Sequence, residues 1–170
     1  VYLVVGAQYQ YFDMTQKDTY TDVSREGAKF NLIDPYATVV YNSDFGLNIN
    51  AGARLNTHSE YGNQVVYHFN PSYSFENLPL KVLASYSTAY ITPSLYQLYG
   101  PYGNLGLTPE ENATTEFGFE SQLMDKKITI NAVGFYREEQ NTFGFFYNPA
   151  TFQSNYINVY EIYEAKGVET

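Results

Sequence analysis

The chain has no cysteine and no tryptophan among its 170 residues, and only two histidines. Without cysteine, a disulfide scaffold, thiol catalysis and a cysteine metal knuckle are all excluded, although the compartment is not fixed, because many exported bacterial proteins also lack disulfides. Positive charge is short as well: 9 Lys and Arg against 18 Asp and Glu leave a formal charge of -9, which excludes the clustered basic surface that nucleic acid demands. The longest apolar stretch, Val1 to Ala7, runs about seven residues, far below the roughly 18 to 20 of a membrane-spanning helix. The start, Val1-Tyr2-Leu3-Val4-Val5, has no initiator Met, basic n-region or small-residue cleavage site, so it is not a signal peptide and reads as a chain entered mid-strand. What is abundant is apolar and aromatic: 44% and 18% of the residues, with 19 Tyr and 12 Phe, which excludes a disordered chain. The length suits one domain or a piece of one.

Hydrophobicity alternates with period 2. From Phe45 to Asn56, Phe45, Leu47, Ile49, Ala51, Ala53 and Leu55 alternate with Gly46, Asn48, Asn50, Gly52, Arg54 and Asn56. Gln64 to Phe75 repeats the pattern, and weaker versions run through Leu3 to Tyr11, Ala37 to Tyr41, Leu80 to Tyr90, Thr114 to Leu123, Ile128 to Arg137 and Ala165 to Thr170. The fold class is therefore all-β, antiparallel and up-and-down, with no helix-period stretch.

The connections are of two kinds. Asn42-Ser43-Asp44, Glu76-Asn77-Leu78-Pro79 and Asp125-Lys126 read as tight hairpin turns. Asp13 to Pro35, Ile91 to Ala113 and Gln140 to Glu164 read as long links, with a shorter one around His58 to Asn63. Short and long alternate, so the sheet has one end of turns and one of loops. Paired residues must share a face. A two-residue turn at Asp125-Lys126 sets Phe119 against Ala132, Leu123 against Ile128, Glu120 against Asn131 and Gln122 against Thr129. Across Glu76 to Pro79 it sets Phe75 against Leu80, Tyr73 against Val82 and Ser74 against Lys81. Phe135 is a misfit on the polar side.

Two environments suit such a sheet: a soluble sandwich with its apolar face under a second sheet, or an outer-membrane barrel with that face in lipid and the polar one in its lumen. Strands of about ten residues, tilted near 40°, span about 25 Å. With aromatic residues near strand ends and the asymmetry of turns and loops, this favours the barrel.

Residues 90 to 116 carry Pro93-Ser94-Leu95, Leu98-Tyr99-Gly100, Gly103-Asn104, Leu107-Thr108-Pro109-Glu110 and a following Glu116. This stretch resembles the Pro-x-Leu-x-x-Leu-Tyr-Gly, Gly-Asn-x-x-Leu-x-Pro-Glu and Glu pattern of TonB-dependent outer-membrane receptors. Ala51-Gly52-Ala53-Arg54, His58-Ser59-Glu60-Tyr61-Gly62 and Lys166-Gly167-Val168-Glu169 are similar to further stretches of that family. Leu98-Tyr99-Gly100-Pro101-Tyr102-Gly103-Asn104 looks most like its vitamin B12 (cobalamin) receptors. The resemblance implies that 1–170 is a partial β-barrel domain, about eight strands of a barrel of about 22, without the family's plug. It implies the outer membrane of a Gram-negative bacterium and uptake of a scarce large nutrient, cobalamin or siderophore-like. The implied partners are the TonB complex acting through the plug, outer-membrane lipid and a surface lipoprotein over the loops. The rivals are a stand-alone eight-stranded barrel serving as adhesin or anchor, which needs its first and last strands paired, and a soluble glycan-binding β-protein.

The Tyr90 to Thr108 loop supplies the candidate ligand contacts Tyr96, Gln97, Tyr102 and Asn104, because Tyr offers broad apolar area with few rotors and one hydroxyl. Leu95, Leu98 and Leu107 are expected to pack the loop onto the rim, and Phe143-Gly144-Phe145-Phe146-Tyr147 to pack on itself or at the rim. Arg54, Lys81, Glu116, Glu120, Arg137 and Glu169 are expected on the lumen wall, holding a plug by polar contacts. An enzyme is not expected: the adjacent pairs Glu110-Glu111 and Glu138-Glu139 point to opposite faces of a strand and form no acid/base couple. No cofactor is expected. Calcium on the loop holding Asp13, Asp18, Asp22, Glu26 and Asp34 is a minor expectation that the resemblance adds, without the Asp-x-Asp-x-Asp-Gly spacing. His68 is placed opposite Arg54, too far from His58 to share a zinc ion.

Overall fold

The computed structural model describes residues 1–17, 24–125 and 127–170. Among them, chain order gives β1 (Tyr2–Lys17), β2 (Ser24–Asn42), β3 (Leu47–His58), β4 (Gly62–Ser74), β5 (Leu80–Ile91), α1 (Leu95–Tyr99), β6 (Glu110–Leu123), β7 (Ile128–Gln140), β8 (Thr142–Asn148), β9 (Gln153–Val159) and β10 (Tyr163–Glu169). Eight strands form one sheet in the order β1-β2-β3-β4-β5-β6-β7-β10, and β8 and β9 form a second, two-stranded sheet. Every neighbouring pair is antiparallel. The sheet is open, with β1 and β10 at its edges, so the pairing required of a closed eight-stranded barrel is not made.

The registers predicted across two tight turns are the observed ones: Phe119 faces Ala132, Glu120 faces Asn131, Gln122 faces Thr129 and Leu123 faces Ile128. Tyr73 faces Val82 and Ser74 faces Lys81. The Phe75 N–H donates to the Leu80 carbonyl at 3.0 Å, closing that turn. The β2–β3 turn needs Gly46, whose φ of +96° is left-handed and where a Cβ would strike the Ser74 carbonyl oxygen.

Four expectations are corrected. His58 pairs with Gly62 across a shorter turn, so His68 lies opposite Gly52 and Arg54 opposite Val66, a slip of two residues that keeps every side chain on its face. Asp13 to Pro35 is largely strand: β1 and β2 stay paired through Met14 and Ala28, with an irregularity before Gln16. Gln140 to Glu164 holds the β8–β9 hairpin. The third long link, residues 92–109, contains the five-residue helix α1, too short for hydrophobic periodicity to reveal.

Exposure follows the two faces in an inverted way. Along β2, Asn31, Ile33, Pro35, Ala37 and Val39 are exposed, whereas Leu32, Tyr36, Thr38 and Val40 are half-buried and Asp34 is buried. The apolar face therefore looks outward, and among the described residues nothing packs on it: Leu3, Val5, Val39, Val65, Phe69 and Phe117 are all exposed. A soluble sandwich would cover that face with a second sheet, but the two-stranded sheet among the described residues is joined to the loops. Lipid is the solvent that fits. Among the described residues no helix is long and apolar enough to cross a membrane. The 12 residues of β3 reach about 30 Å along the membrane normal when tilted near 40°. The 19 of β2, about 60 Å long before tilt, must project beyond the bilayer.

Candidate functional site

The registers bring the predicted wall residues together. Arg54 lies across from Tyr36 and Val66, Lys81 from Glu120, Glu116 from Ser85 and Phe135, and Glu169 from Val133. Traced strand to strand, Arg54, Lys81, Glu116, Glu120, Arg137 and Glu169 all fall on the polar, inner face. That face encloses a hollow of about 520 Å³ bordered by Gln10, Asp34, Tyr36, Arg54, His68 and Thr92 among others, drawn from β1 through the start of the 92–109 loop. The Arg54 guanidinium sits 5.5 Å from the centre of the Tyr36 ring. His68 Nε2 lies 2.7 Å from Asn50 Oδ1, and Arg137 pairs with Glu139. Phe135, the misfit, does face inward: its ring covers Gly167, its partner on β10.

At the loop end, α1 opens with a capping box: the Ser94 hydroxyl accepts the Gln97 N–H at 3.2 Å, and Gln97 Oε1 accepts the Ser94 N–H at 2.9 Å. Leu95 and Leu98 are buried as expected, Leu95 against Ala28 and Phe30 with Met14, Leu32 and Tyr99 alongside. Pro93 and Leu107 are buried too. The loop thus lies over the inner side of the projecting β1–β2 hairpin.

A second anchor is His58, buried between the rings of Phe30 and Tyr61 at 4.4 and 4.9 Å. Its Nδ1 accepts the N–H groups of Glu60 at 3.0 Å and Tyr61 at 3.4 Å, and its Nε2 is buried without a hydrogen-bond partner among the described residues. Burial lowers its pKa from 6.5, against an opposing pull from Glu60 and Asp34. The Tyr61 hydroxyl donates to the Leu107 carbonyl at 3.1 Å, and burial, helped by nearby Tyr90, Tyr99 and Glu60, pushes its pKa up to about 12.

The third anchor joins two loops. Tyr156 N–H on β9 donates to the Tyr102 carbonyl at 3.0 Å, and the Asn104 amide donates to the Tyr156 carbonyl at 2.8 Å. Asn158, two residues on and buried, accepts the Thr108 N–H at 2.8 Å and donates to the carbonyls of Thr108 and Asn141 at 2.8 and 2.7 Å. Glu110 accepts the Phe143 N–H. Phe145 stands edge-on to both Tyr102 and Tyr156, each centroid 5.4 Å away.

Of the four candidate ligand contacts, Gln97 is engaged in the capping box and Asn104 in the loop junction, while Tyr96 and Tyr102 present rings that are 48% and 47% exposed. Phe145, Phe146 and Tyr147 are exposed as well, and Phe145 packs its ring against Tyr102 and Tyr156, outside its own segment. Sequence reasoning missed Asn158 and Tyr156, although the alternation Asn155-Tyr156-Ile157-Asn158-Val159 carries a strand signal. Asp13 and Asp34, two of the five acidic residues considered for calcium, do not fit one ion: Asp34 pairs with Gln8 and so shares its face, and Gln8 and Asp13, five residues apart on β1, point to opposite faces. Asp18, Asp22 and the side chain of Glu26 lie outside the described residues.

The family model "TonB dependent receptor-like, beta-barrel" matches residues 2–170, and the chain belongs to that family. It is 35% identical over 123 residues, 71% of its length, to the vitamin B12 transporter BtuB of Vibrio cholerae serotype O1, of which it spans 19%. Its fold is similar to two solved structures from Pseudomonas aeruginosa, over 98% of this chain in each case. With the siderophore receptor PirA the TM-score is 0.80 at 22% identity, over 32% of that chain. With the ferric enterobactin receptor PfeA, solved in complex with enterobactin, it is 0.81 at 18% identity, over 30% of that chain. The chain thus spans about a fifth of the curated relative and about a third of the solved ones.

Proposed function

We propose that these residues form part of the wall and outer loops of a receptor in a Gram-negative outer membrane, one that captures a large corrinoid-type nutrient, of which vitamin B12 is the type, and imports it with energy delivered by the TonB complex. The observation carrying this reading is the pair of joined loops at one end of the sheet, which offer Tyr96 and Tyr102 above a polar, concave wall. A corrinoid presents a broad macrocycle edged with amides, and exposed Tyr rings match it with contact area and a few polar anchors. The similarity to a vitamin B12 transporter supports this class. Catalysis has no place in it: the relatives are receptors and transporters.

The inner wall is where a plug would sit. Arg54, Lys81, Glu116, Glu120 and Glu169, mixed in sign, are the polar contacts it would meet, and the TonB complex would act through that plug. Outer-membrane lipid is the partner of the apolar face. The exposed aromatic loops are the surface that a capping lipoprotein would meet.

Cyanocobalamin binding to the full-length receptor tests the reading. Saturable binding that Tyr96→Ala and Tyr102→Ala both weaken, at unchanged receptor abundance, is the expected result. Absence of saturable binding would remove the corrinoid class.

A further inference from the structure

We infer that Asn158 is a positioning residue that joins the 92–109 loop and the β8–β9 hairpin into one body, so that the aromatic surface they share is presented as a unit. This rests on the proposed reading of that surface as the ligand site.

The argument begins with the hairpin. Two paired strands of seven residues each are marginal in water on their own. The hairpin must be held from outside, and two residues of β9, Tyr156 and Asn158, do the holding. Tyr156 engages the loop through its backbone, with both N–H and carbonyl taken by Tyr102 and Asn104. Asn158 engages it through its side chain, whose amide copies a peptide group: its oxygen takes the Thr108 N–H and its nitrogen gives to the Thr108 carbonyl. The same nitrogen reaches back to the Asn141 carbonyl at the foot of the hairpin. Asn158 thereby completes a short ladder between the loop and β9 and ties it to the start of β8.

One side chain carries the joint. Asn158 is 9% exposed, so its amide is shielded from water, and removing it takes three hydrogen bonds from the contact between loop and hairpin at once. A shorter side chain cannot reach them. An aspartate could still accept the Thr108 N–H but would turn a charged oxygen toward the carbonyls of Thr108 and Asn141. The Tyr102, Phe145 and Tyr156 rings sit across the same joint, so its opening would separate Tyr102 from Phe145.

Amide hydrogen exchange on the full-length receptor in bilayer nanodiscs decides the matter, with cyanocobalamin binding measured in parallel. In the unmodified protein, the amides of Tyr156 and Thr108 should exchange with one common opening equilibrium. Asn158→Ala should raise exchange at both by about tenfold or more, leaving the β3 and β4 amides unchanged. Asn158→Asp should do the same, and Thr151→Ala, at the exposed hairpin tip, should not. Should Asn158→Ala fail to assemble, Asn104→Ala opens the same joint from the loop side and is expected to raise exchange in both segments. Unequal opening in the unmodified protein, or a rise in only one segment of a variant, overturns the single body. Cyanocobalamin should dissociate faster from Asn158→Ala; unchanged binding there alongside weakened binding in Tyr102→Ala overturns the positioning role and leaves the ligand site standing. Unchanged binding in Tyr102→Ala with joint exchange intact overturns the ligand site alone.

Discussion

The Tyr36 ring lies over Gly6, its partner on the neighbouring strand, so closely that a Cβ at Gly6 would come within 2.5 Å of the Tyr36 hydroxyl oxygen. The other partner of Tyr36, Arg54, stacks its guanidinium on the same ring. Glycine, tyrosine and arginine thus form one row across three strands of the inner wall. Gly6→Val should push the ring aside and cost about 1 to 2 kcal/mol of folding stability in bilayers, as overpacking does. Urea titration of the lipid-folded barrel checks it, and a cost near zero would mean the ring finds another resting place without loss.

Ala51 pairs with Val39 and Phe69 on the outer face, near the middle of β3. Ala51→Arg should destabilise the lipid-folded barrel by about 2 to 4 kcal/mol, the penalty for a cation at the bilayer midplane. Its neighbour Asn50 points inward, so Asn50→Arg should cost much less. Equal effects at both positions would sink the assignment of faces.

The exposed rings of Tyr96 and Tyr102 should carry contact area for ligand. Either one changed to Ala should weaken cyanocobalamin binding by about tenfold, the scale of an aromatic anchor lost from an interface. Surface abundance should hold. Tyr102 also touches Phe145, so Tyr102→Ala is expected to be the worse of the two.

His58 makes the loop end sensitive to acid. Its pKa is lowered from 6.5 by burial. When the His58–Tyr61 turn opens, the imidazole regains its ordinary affinity for protons, so the open state binds more protons than the closed one as the pH falls below 6.5. Packing of this turn is therefore strongest above that pH and weakens progressively as the pH drops toward the lowered value. Exchange of the Glu60 and Tyr61 amides, corrected for intrinsic rates, should rise from pH 7 to pH 5, and His58→Phe should flatten the trend. A trend that survives the substitution would place the titrating group elsewhere.

Much of the architecture is local information. Strict alternation in Phe45 to Asn56 settles which side chains share a face, because successive residues of a strand must point oppositely. Tight turns at 76–79 and 125–126 settle register, because few residues leave little choice. Hence the side of the sheet on which Arg54, Lys81, Glu116 and Glu120 lie follows from the sequence, whereas Glu169 takes its place from the pairing of β10 with β7 across the β8–β9 hairpin. The link at His58 to Asn63 misled by two residues because nothing local distinguishes a shorter turn from a longer one there.

The loops were less legible, since their order comes from partners far along the chain. Gln97 and Asn104 read as exposed polar groups beside tyrosines, yet one closes the capping box of a five-residue helix and the other reaches Tyr156. Nothing within a few residues of Asn158 announces that its partner is Thr108, 50 positions earlier. The sequence by itself determined the strands, their faces and the two unlike ends of the sheet, because these follow from periodicity and turn length. Only the tertiary structure decided that the apolar face is left uncovered and that the two loops meet, because both depend on which surfaces come together once the strands are paired.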